Sequence, residues 1–254
     1  MKTPISALTL LSNQQGEGKQ MTAKAEAYNS ATAGKFRDAV RAQHAITASM
    51  ERKVLAWLAA RTPASISPDH LTALGFLAQF LAGVCYALAR WTSVGLIGAV
   101  IFIGLNWLGD SLDGTLARYR MRLRPRYGFY ADHMIDSFGA AFLMTGLAVS
   151  GYLHWQVAAA MLIAFLLLSI ETYLTAYTLS DFRLSHGFFG PTEIRILLAI
   201  GTVALLFSPR VRTFGRSLLL FDIGGVVAAA VMAAITLFAA LRHTRRLYDE
   251  ERLE

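Results

Sequence analysis

Residues 104–139 read GLNWLGDSLDGTLARYRMRLRPRYGFYADHMIDSFG, and apolar segments flank this stretch on both sides. It contains four aspartates, at positions Asp110, Asp113, Asp132 and Asp136. The first two are three residues apart and the last two are four apart, so each pair shares one face of a helix. Charged side chains at the ends of membrane helices are costly and indicate function by default. The spacing therefore predicts two helix ends that present their carboxylates to one polar pocket.

Four converging carboxylates would repel one another unless cations neutralise them. Hard oxygen ligands suit Mg²⁺, Mn²⁺ or Ca²⁺, and the lack of a nearby Cys/His cluster argues against zinc. Mg²⁺ typically binds a few carboxylates together with the phosphates of a substrate. Two such ions can clamp a pyrophosphate and stabilise an in-line displacement. The pattern thus predicts a divalent-metal site that also binds phosphate.

Small residues accompany these aspartates. Gly114 and Ala117 follow Asp113 on the same predicted helix, and Gly128 lies one turn before the second pair. Because these positions carry no bulky side chain, a nucleotide or phosphate can approach the backbone closely. Arg118 lies four residues after Gly114, on the same face, and offers a planar guanidinium group to phosphate.

Together these residues resemble the signature of the CDP-alcohol phosphatidyltransferase family. The signature has the form Asp-x2-Asp-Gly-x2-Ala-Arg, then a nine-residue spacer here, then Gly-x3-Asp-x3-Asp. It covers 27 residues, and the surrounding membrane pattern extends the similarity over most of 49–246. All eight defining residues are present: Asp110, Asp113, Gly114, Ala117, Arg118, Gly128, Asp132 and Asp136.

The resemblance implies a membrane enzyme of phospholipid synthesis that moves a phosphate-linked group from a CDP-activated alcohol to a hydroxyl acceptor and releases CMP. It implies a homodimer and two bound Mg²⁺ or Mn²⁺ ions. Asp136 would be the general base that takes the proton of the acceptor hydroxyl. The metal ligands would be Asp110, Asp113, Asp132 and Asp136. The nucleotide site would be lined by Asp113, Gly114, Ala117, Arg118 and Gly128.

The composition is that of a membrane protein. Hydrophobic residues make up 55% of the 254 positions and charged residues 16%, against about 25% in ordinary soluble domains. Mean hydropathy is +0.44. The net charge of +7 suits anionic lipids and phosphate-bearing substrates, and no basic stripe with interleaved aromatic residues suggests nucleic acid. We therefore predict an all-α, polytopic protein of the cell membrane.

Six apolar segments are the predicted transmembrane helices. A short helix with Met50, Val54 and Trp57 at helical spacing beside basic residues precedes them, and it is too short to span a bilayer. It is expected to lie at the membrane interface, and the alternative is an ordinary amphipathic helix packed on protein. The spans are expected at about 69–90, 92–110, 128–150, 155–180, 190–207 and 217–241, and the second helix is expected to continue to Arg118 beyond the hydrocarbon layer.

These patterns divide the chain into four regions. Residues 1–48 form a cytoplasmic N-terminal extension, rich in polar residues and partly disordered. Residues 49–66 form the interfacial amphipathic helix and a linker. Residues 67–246 form the six-helix membrane domain, which begins at a Ser-Pro helix-start signal. Residues 247–254 form a cytoplasmic tail.

Basic residues set the predicted topology. Five arginines within 118–126 mark this loop as cytoplasmic. Arg118 belongs to the signature, and we assign the other four to topology and contact with lipid headgroups. Both termini carry further basic residues and are expected in the cytoplasm, so the active site opens at the cytoplasmic face. The arginines of 210–216 fall on the outer side, against the positive-inside rule.

Four other residues are candidates with open alternatives. Thr72, near the mouth of the first span, either touches the nucleotide or serves packing. Arg195 either holds a phosphate of the acceptor, as the resemblance to bacterial members of the family implies, or belongs to a surface arrangement with Glu193. Glu171 lies roughly 15 Å deep in the fourth span and serves either an acceptor pocket or a contact between helices. His133 either assists the neighbouring aspartates or packs away from their face.

Three functions are compatible with these features. We favour transfer of a phosphatidyl group from CDP-diacylglycerol to a hydroxyl of a polar alcohol. The alternative moves phosphocholine or phosphoethanolamine from a CDP-aminoalcohol to diacylglycerol, because the fragment Asp132-His133-x-x-Asp136 resembles that of choline and ethanolamine phosphotransferases. A remote alternative is a divalent-ion carrier that uses the aspartates as an ion site.

Overall fold

The computed structural model describes residues 48–179, 191–213 and 215–252. These ranges contain seven helices and one β-hairpin. The predicted cytoplasmic extension, residues 1–48, lies almost entirely outside the described ranges. The helices are α1 Ala48–Arg61, α2 Pro68–Leu88, α3 Val94–Tyr119, α4 Pro125–Ser150, α5 Trp155–Thr178, α6 Pro191–Phe207 and α7 Leu220–Glu250. The hairpin consists of β1 Arg210–Thr213 and β2 Arg216–Leu219.

The start of α2 confirms the Ser-Pro signal in the sequence. The Ser67 hydroxyl accepts a hydrogen bond from the backbone N–H of His70, and His70 Nδ1 accepts one from the Ser67 N–H, each at 3.2 Å. This reciprocal pair satisfies backbone donors that the first turn of a helix leaves open. The cap therefore fixes the point at which the chain enters the helical bundle.

Glycines let α2, α3 and α4 pack with their backbones in near contact. A Cβ atom on Gly109 of α3 would lie 2.6 Å from the backbone nitrogen of Gly75 in α2. A Cβ atom on Gly83 of α2 would lie 2.6 Å from the carbonyl oxygen of Phe142 in α4. Small residues at helix crossings are the usual means of close packing in membrane proteins. The crossing at Gly109 lies directly beside Asp110, so it positions the candidate site.

A buried apolar core joins α2 to its neighbours α3 and α4 and continues to α5 and α6. Tyr86 is fully buried there, and its hydroxyl lies 2.5 Å from the Thr202 hydroxyl of α6. The turn between α4 and α5 is formed by Gly151 with φ +80°, as the sequence predicts for the 150–154 segment. The core contains Ala82, Tyr86, Ala89, Leu96, Ala99, Ile103, Leu143, Leu147, Leu153, Ala158 and Leu205.

Four of the described helices, α2, α3, α5 and α7, are long and apolar enough to cross a membrane. The outer surfaces of α5 and α7 are strongly apolar, and Phe238 of α7 is 71% exposed. Apolar surface of this extent requires a lipid environment. The protein is thus a polytopic helical membrane protein. The two other predicted spans correspond to α4, which carries charged residues in its first half, and to α6, with 17 described residues.

The segment before the last helix differs from the prediction. We expected a loop and then a span over about 217–241, but Arg210–Thr213 and Arg216–Leu219 pair as antiparallel strands and α7 begins at Leu220. Gly215, with φ +73°, supplies the turn between the strands. At its other end α7 continues to Glu250, well beyond the predicted end, because no Gly or Pro follows Gly225 to interrupt it.

Helix α1 contacts protein along one stripe and is exposed along another. Leu55 and Ala59 are buried against residues of α2 and α3. Trp57, in contrast, is 54% exposed, and Met50 and Val54 are exposed as well. The packed stripe agrees with the alternative that the sequence left open, while the exposed apolar stripe is typical of a helix at a membrane surface. The interfacial position of α1 stays a prediction.

Candidate active site

The pocket at the ends of α3 and α4 brings all four signature aspartates together. Each pair lies on one helix face, as its spacing predicts, and α2 closes the third side. The sequence therefore located the pocket correctly. The residues that line it are Thr72, Gly75, Phe76, Asn106, Asp110, Asp113, Asp132, Ile135 and Asp136.

Asp113 is the most enclosed of the four, with 7% of its surface exposed. Its Oδ2 atom accepts a hydrogen bond of 2.6 Å from the Thr72 hydroxyl. Its Oδ1 atom accepts one of 2.5 Å from the backbone N–H of Gly114. A buried carboxylate needs such donors to offset its desolvation. Thr72 therefore fixes the orientation of Asp113, a role more specific than either alternative that the sequence left open.

Asp110 is paired with an arginine from a distant part of the chain. Arg195 of α6 donates from Nη1 to Asp110 Oδ2 at 2.8 Å, and its side chain is only 17% exposed. The sequence predicted Arg195 at the level of the motif, with a surface arrangement as the alternative. The structure brings this guanidinium group to the pocket edge, where it adds one positive charge to the four carboxylates.

Asn106 is a pocket residue that the sequence analysis missed. It is buried, and its Nδ2 atom donates to the Gly75 carbonyl at 3.0 Å and to Gln79 Oε1 at 3.3 Å. These bonds join α3 to α2 one turn away from Asp110. The available signal was its position, since Asn106 is the only amide in the apolar run of the second span and lies four residues before Asp110.

The four other signature residues lie just outside the lining of this pocket. Gly114 and Ala117 continue α3 beyond Asp113, and Gly128 lies in the first turn of α4 with open space where a Cβ atom would be. Arg118 is exposed, and its Nη2 atom donates to the Thr115 hydroxyl at 3.2 Å. Their location next to the aspartates agrees with a nucleotide site, and that role stays a prediction.

His133 of α4 packs against Phe129 of its own helix and Tyr173 of α5. Its ring stacks on Phe129 with a centroid distance of 4.2 Å and meets Tyr173 edge-on at 4.5 Å. Its Nδ1 atom lies 2.5 Å from the Phe129 carbonyl oxygen. These contacts match the packing alternative, and a role of His133 toward the acceptor stays a prediction.

Glu171 takes part in a contact between α5 and α7. Its Oε1 atom lies 2.7 Å from His243 Nδ1 and accepts a hydrogen bond of 2.9 Å from the Thr175 hydroxyl. The carboxylate is largely buried, with 10% of the side chain exposed. The geometry matches the helix-contact alternative. A role of Glu171 in an acceptor pocket stays a prediction.

Two arginines of the basic loop have definite protein partners. Arg120 donates to the carbonyls of Thr62, Pro63 and Ile66, which lie in the connection between α1 and α2. Arg124 forms an ion pair with Asp69 at the start of α2. We had assigned both arginines to topology and lipid headgroups. They also hold the entrance of the first membrane helix beside the pocket.

The donor set suits the divalent cations that the sequence predicts. Four carboxylates, the Thr72 hydroxyl and the Asn106 amide provide oxygen atoms, which Mg²⁺ and Mn²⁺ prefer. Among the described residues, no three Asp, Glu, His or Cys side chains are already gathered in the geometry of a metal site. Asp110 and Asp113 instead bond to Arg195 and Thr72. The residues fit the ions by chemistry and location.

The fold and the site together define the class of protein: a helical membrane bundle with four aspartates around one pocket. Within that class, the chain belongs to the CDP-alcohol phosphatidyltransferase family, whose model matches residues 65–241. The match includes the complete eight-residue signature. It confirms the resemblance predicted from residues 110–136.

Relatives in this family share parts of the chain. An archaetidylinositol phosphate synthase from Pyrococcus horikoshii is 33% identical over 114 residues, which are 44% of this chain and 53% of that protein. A phosphatidylinositol phosphate synthase from Cutibacterium acnes is 32% identical over 88 residues, 34% of this chain and 39% of that protein. The chain thus spans about half the length, or less, of these curated relatives.

A solved structure has the same fold. The crystal structure of Mycobacterium tuberculosis phosphatidylinositol phosphate synthase (PgsA1) with CDP-DAG bound matches with a TM-score of 0.51. The match covers 80% of this chain and 94% of that one, at 19% sequence identity. At this level of identity the likeness concerns the fold alone.

Proposed function

We propose that this protein transfers the phosphatidyl group of CDP-diacylglycerol to a hydroxyl of a polar alcohol and releases CMP. The observation that carries the proposal is the convergence of Asp110, Asp113, Asp132 and Asp136 on one pocket. Membership of the CDP-alcohol phosphatidyltransferase family supports the reaction type. The phosphatidylinositol phosphate synthase from Cutibacterium acnes and the CDP-DAG bound to the M. tuberculosis enzyme support this donor over a CDP-aminoalcohol.

Asp136 is the general base in the proposed reaction. It accepts the proton of the acceptor hydroxyl, whose oxygen then forms a bond to the β-phosphorus of the donor. The bond between that phosphorus and the bridging oxygen breaks, and CMP leaves with the bonding electrons. Asp136 lines the same pocket as the three other aspartates, which supports this role.

The other carboxylates bind and orient the pyrophosphate of the donor through divalent ions. Asp110, Asp113 and Asp132, with Asp136, would hold Mg²⁺ or Mn²⁺, which would neutralise the developing charge on the phosphates when bound. Arg118, next to the small residues Gly114 and Ala117, would contact the nucleotide phosphates. Two ions are proposed because two pairs of aspartates are present.

The acceptor that we propose is a phosphorylated polyol such as an inositol phosphate. The names of both curated relatives support this class of acceptor. Arg195 supports it independently, because it brings a guanidinium group to the edge of an acidic pocket. A phosphate on the acceptor would bind this group by paired hydrogen bonds. Arg195 would then exchange its bond with Asp110 for one with the substrate.

We also propose that six helices cross the membrane and that α1 lies at its surface. Both termini and the active site would face the cytoplasm. The arginine-rich connection between α3 and α4 supports this orientation. The donor would enter sideways from the bilayer and the polar acceptor from water. A homodimer is proposed on the family resemblance alone.

The test is to identify the lipid product formed by the purified protein with Mg²⁺ or Mn²⁺. CDP-diacylglycerol would be offered with inositol phosphate, glycerol phosphate, inositol or serine, and CDP-choline with diacylglycerol. We expect a phosphatidylated phosphorylated polyol, detected by mass spectrometry. If lipid product forms only from CDP-choline with diacylglycerol, the protein is instead an aminoalcohol phosphotransferase. Metal binding without product from any pair would favour the ion carrier.

A further inference from the structure

Glu51 of α1 connects three helices through a single oxygen atom. Its Oε1 atom accepts hydrogen bonds from Trp107 Nε1 at 3.2 Å and from the Ser111 hydroxyl at 3.3 Å, both on α3. The same atom accepts a bond of 3.0 Å from the Thr192 hydroxyl at the start of α6. A carboxylate is suited to this task because it accepts several hydrogen bonds and carries no competing donor.

The donors on α3 lie beside the pocket residues. Trp107 and Ser111 are one turn apart and therefore share a face of α3. Asp110 lies between them in sequence, on the neighbouring face that lines the pocket. Glu51 thus contacts the face of α3 next to the one that carries the first signature aspartate.

The donor on α6 lies one turn before Arg195. Residues three apart share a helix face, so a bond that holds Thr192 also orients the turn carrying Arg195. Arg195 in turn donates to Asp110 at 2.8 Å. A carboxylate near the first turn of α6 is also favoured by the dipole of that helix. The path runs from Glu51 through Thr192 and Arg195 to the acidic pocket.

Helix α1 is itself held firmly, which allows Glu51 to act as a fixed point. Leu55 and Ala59 are buried against α2 and α3. Arg120 binds three carbonyl oxygens in the chain that follows α1. Hydrogen bonds made by charged groups are the stronger class in proteins. Both ends of α1 are therefore attached to the elements around the pocket.

We propose that Glu51 is a positioning residue for the acceptor side of the active site, which holds the start of α6 so that Arg195 stays at the edge of the pocket. This inference rests on the proposed function. It assigns to the helix before the membrane domain a part in substrate binding. Because Glu51 acts through Arg195, its loss should weaken binding of the acceptor far more than binding of CDP-diacylglycerol.

The experiment measures KM for each substrate in Glu51→Ala, Glu51→Gln and the matched control Arg52→Ala, which changes an exposed neighbour on the same turn. We expect Glu51→Ala to raise the KM of a phosphorylated acceptor about tenfold, a change that corresponds to the loss of one charge-assisted hydrogen bond. The KM of CDP-diacylglycerol should change by no more than about twofold. Glu51→Gln should recover most of the affinity, since its amide oxygen still accepts hydrogen bonds. Equal losses for both substrates, or no recovery in Glu51→Gln, would overturn the proposal.

A second measurement separates this proposal from the proposed function. The thermal midpoints of Glu51→Ala, Thr192→Val and the double variant form a cycle that needs no activity. We expect the double variant to lose clearly less than the sum of the single losses, because both changes remove the same bond. Strictly additive losses would refute the Glu51–Thr192 link. If the wild type makes no lipid product while the cycle shows coupling, the proposed function fails and the link stands.

Discussion

The Asp113 carboxylate illustrates how single side chains prepare the pocket. Both of its oxygens accept hydrogen bonds, one from the Thr72 hydroxyl and one from the Gly114 N–H. Removing one donor leaves a buried carboxylate underbonded and free to rotate, which costs about 1.5–3 kcal/mol in comparable cases. The orientation of Asp113 therefore depends on a residue of another helix.

We predict that Thr72→Val lowers kcat/KM with CDP-diacylglycerol by about tenfold or more, the equivalent of about 1.4 kcal/mol. Thr72→Ser retains the hydroxyl and should keep most of the activity. The measurement is the initial rate of product formation at subsaturating donor. Equal rates for Thr72→Val and the wild type would show that the bond to Asp113 has no part in the reaction.

We predict that Asp136→Asn abolishes turnover and leaves binding of a cytidine nucleotide largely intact. The amide cannot accept the proton of the acceptor hydroxyl, whereas its size and position are unchanged. Turnover and nucleotide binding would be measured on the same preparation. Asp249→Asn, an exposed change on the last helix, is the control and should behave as the wild type. An active Asp136→Asn variant would refute the assignment of the base.

The sequence predicted the four aspartates of the pocket but not the residues that hold them. The aspartates were visible because helical spacing of three and four is a local property. Thr72 was placed at the mouth of a helix with its partner unknown, and Asn106 and Glu51 were missed. Their roles depend on which helices meet and at what rotation. No repeat within one helix encodes such contacts, because the donor and acceptor are 27 to 141 residues apart.

At the scale of helices, local signals predicted the ends better than the lengths. The Ser67 cap and the Gly151 turn have local causes, and both were found where expected. The sequence does not predict strands β1 and β2, because four-residue segments with two or three polar positions have no distinctive pattern. The predicted sixth span ends at about 241, whereas α7 extends to Glu250, because the basic residues that follow the apolar run are good helix formers.

We predict that Gly109→Ala destabilises the protein by about 1–3 kcal/mol and reduces activity, because its methyl group would meet the α2 backbone at Gly75 and force α2 and α3 apart beside Asp110. Gly104→Ala on the same helix is the matched control, since nothing lies within 4 Å of its Cβ position. The control should be neutral or slightly stabilising. The thermal midpoint and the rate of product formation would be measured for both. Equal behaviour of the two variants would contradict the close crossing.

At the scale of the whole molecule, the decisive topological question is whether α4 crosses the membrane. Within the described part of the chain, four other helices meet the length and composition of a span, while the six-span arrangement also requires α4. The charges in the first half of α4 belong to the proposed active site, which accounts for its lower hydropathy. If α4 crosses, the connections at its two ends lie on opposite sides of the bilayer.

We predict that cysteines introduced at the two ends of α4 label from opposite sides. Met121, before α4, is 90% exposed, and Gln156, in the first turn of α5 after the α4–α5 connection, is exposed as well. The single native cysteine, Cys85, is first replaced by alanine so that only the introduced cysteines react. A membrane-impermeant maleimide added to intact cells should then label Gln156→Cys. It should label Met121→Cys only after the membrane is opened. Labelling of both sites from the same side would rule out six spans.

The central claim is that the four-aspartate pocket catalyses phosphatidyl transfer from CDP-diacylglycerol. The most direct measurement is acceptor-dependent release of CMP from this donor by the purified protein in Mg²⁺ or Mn²⁺. We predict that CMP appears in equal amount to the new lipid, that omission of the acceptor or the metal stops it, and that Asp113→Asn lacks it. CMP release that persists without an acceptor, or that survives in Asp113→Asn, would contradict the account.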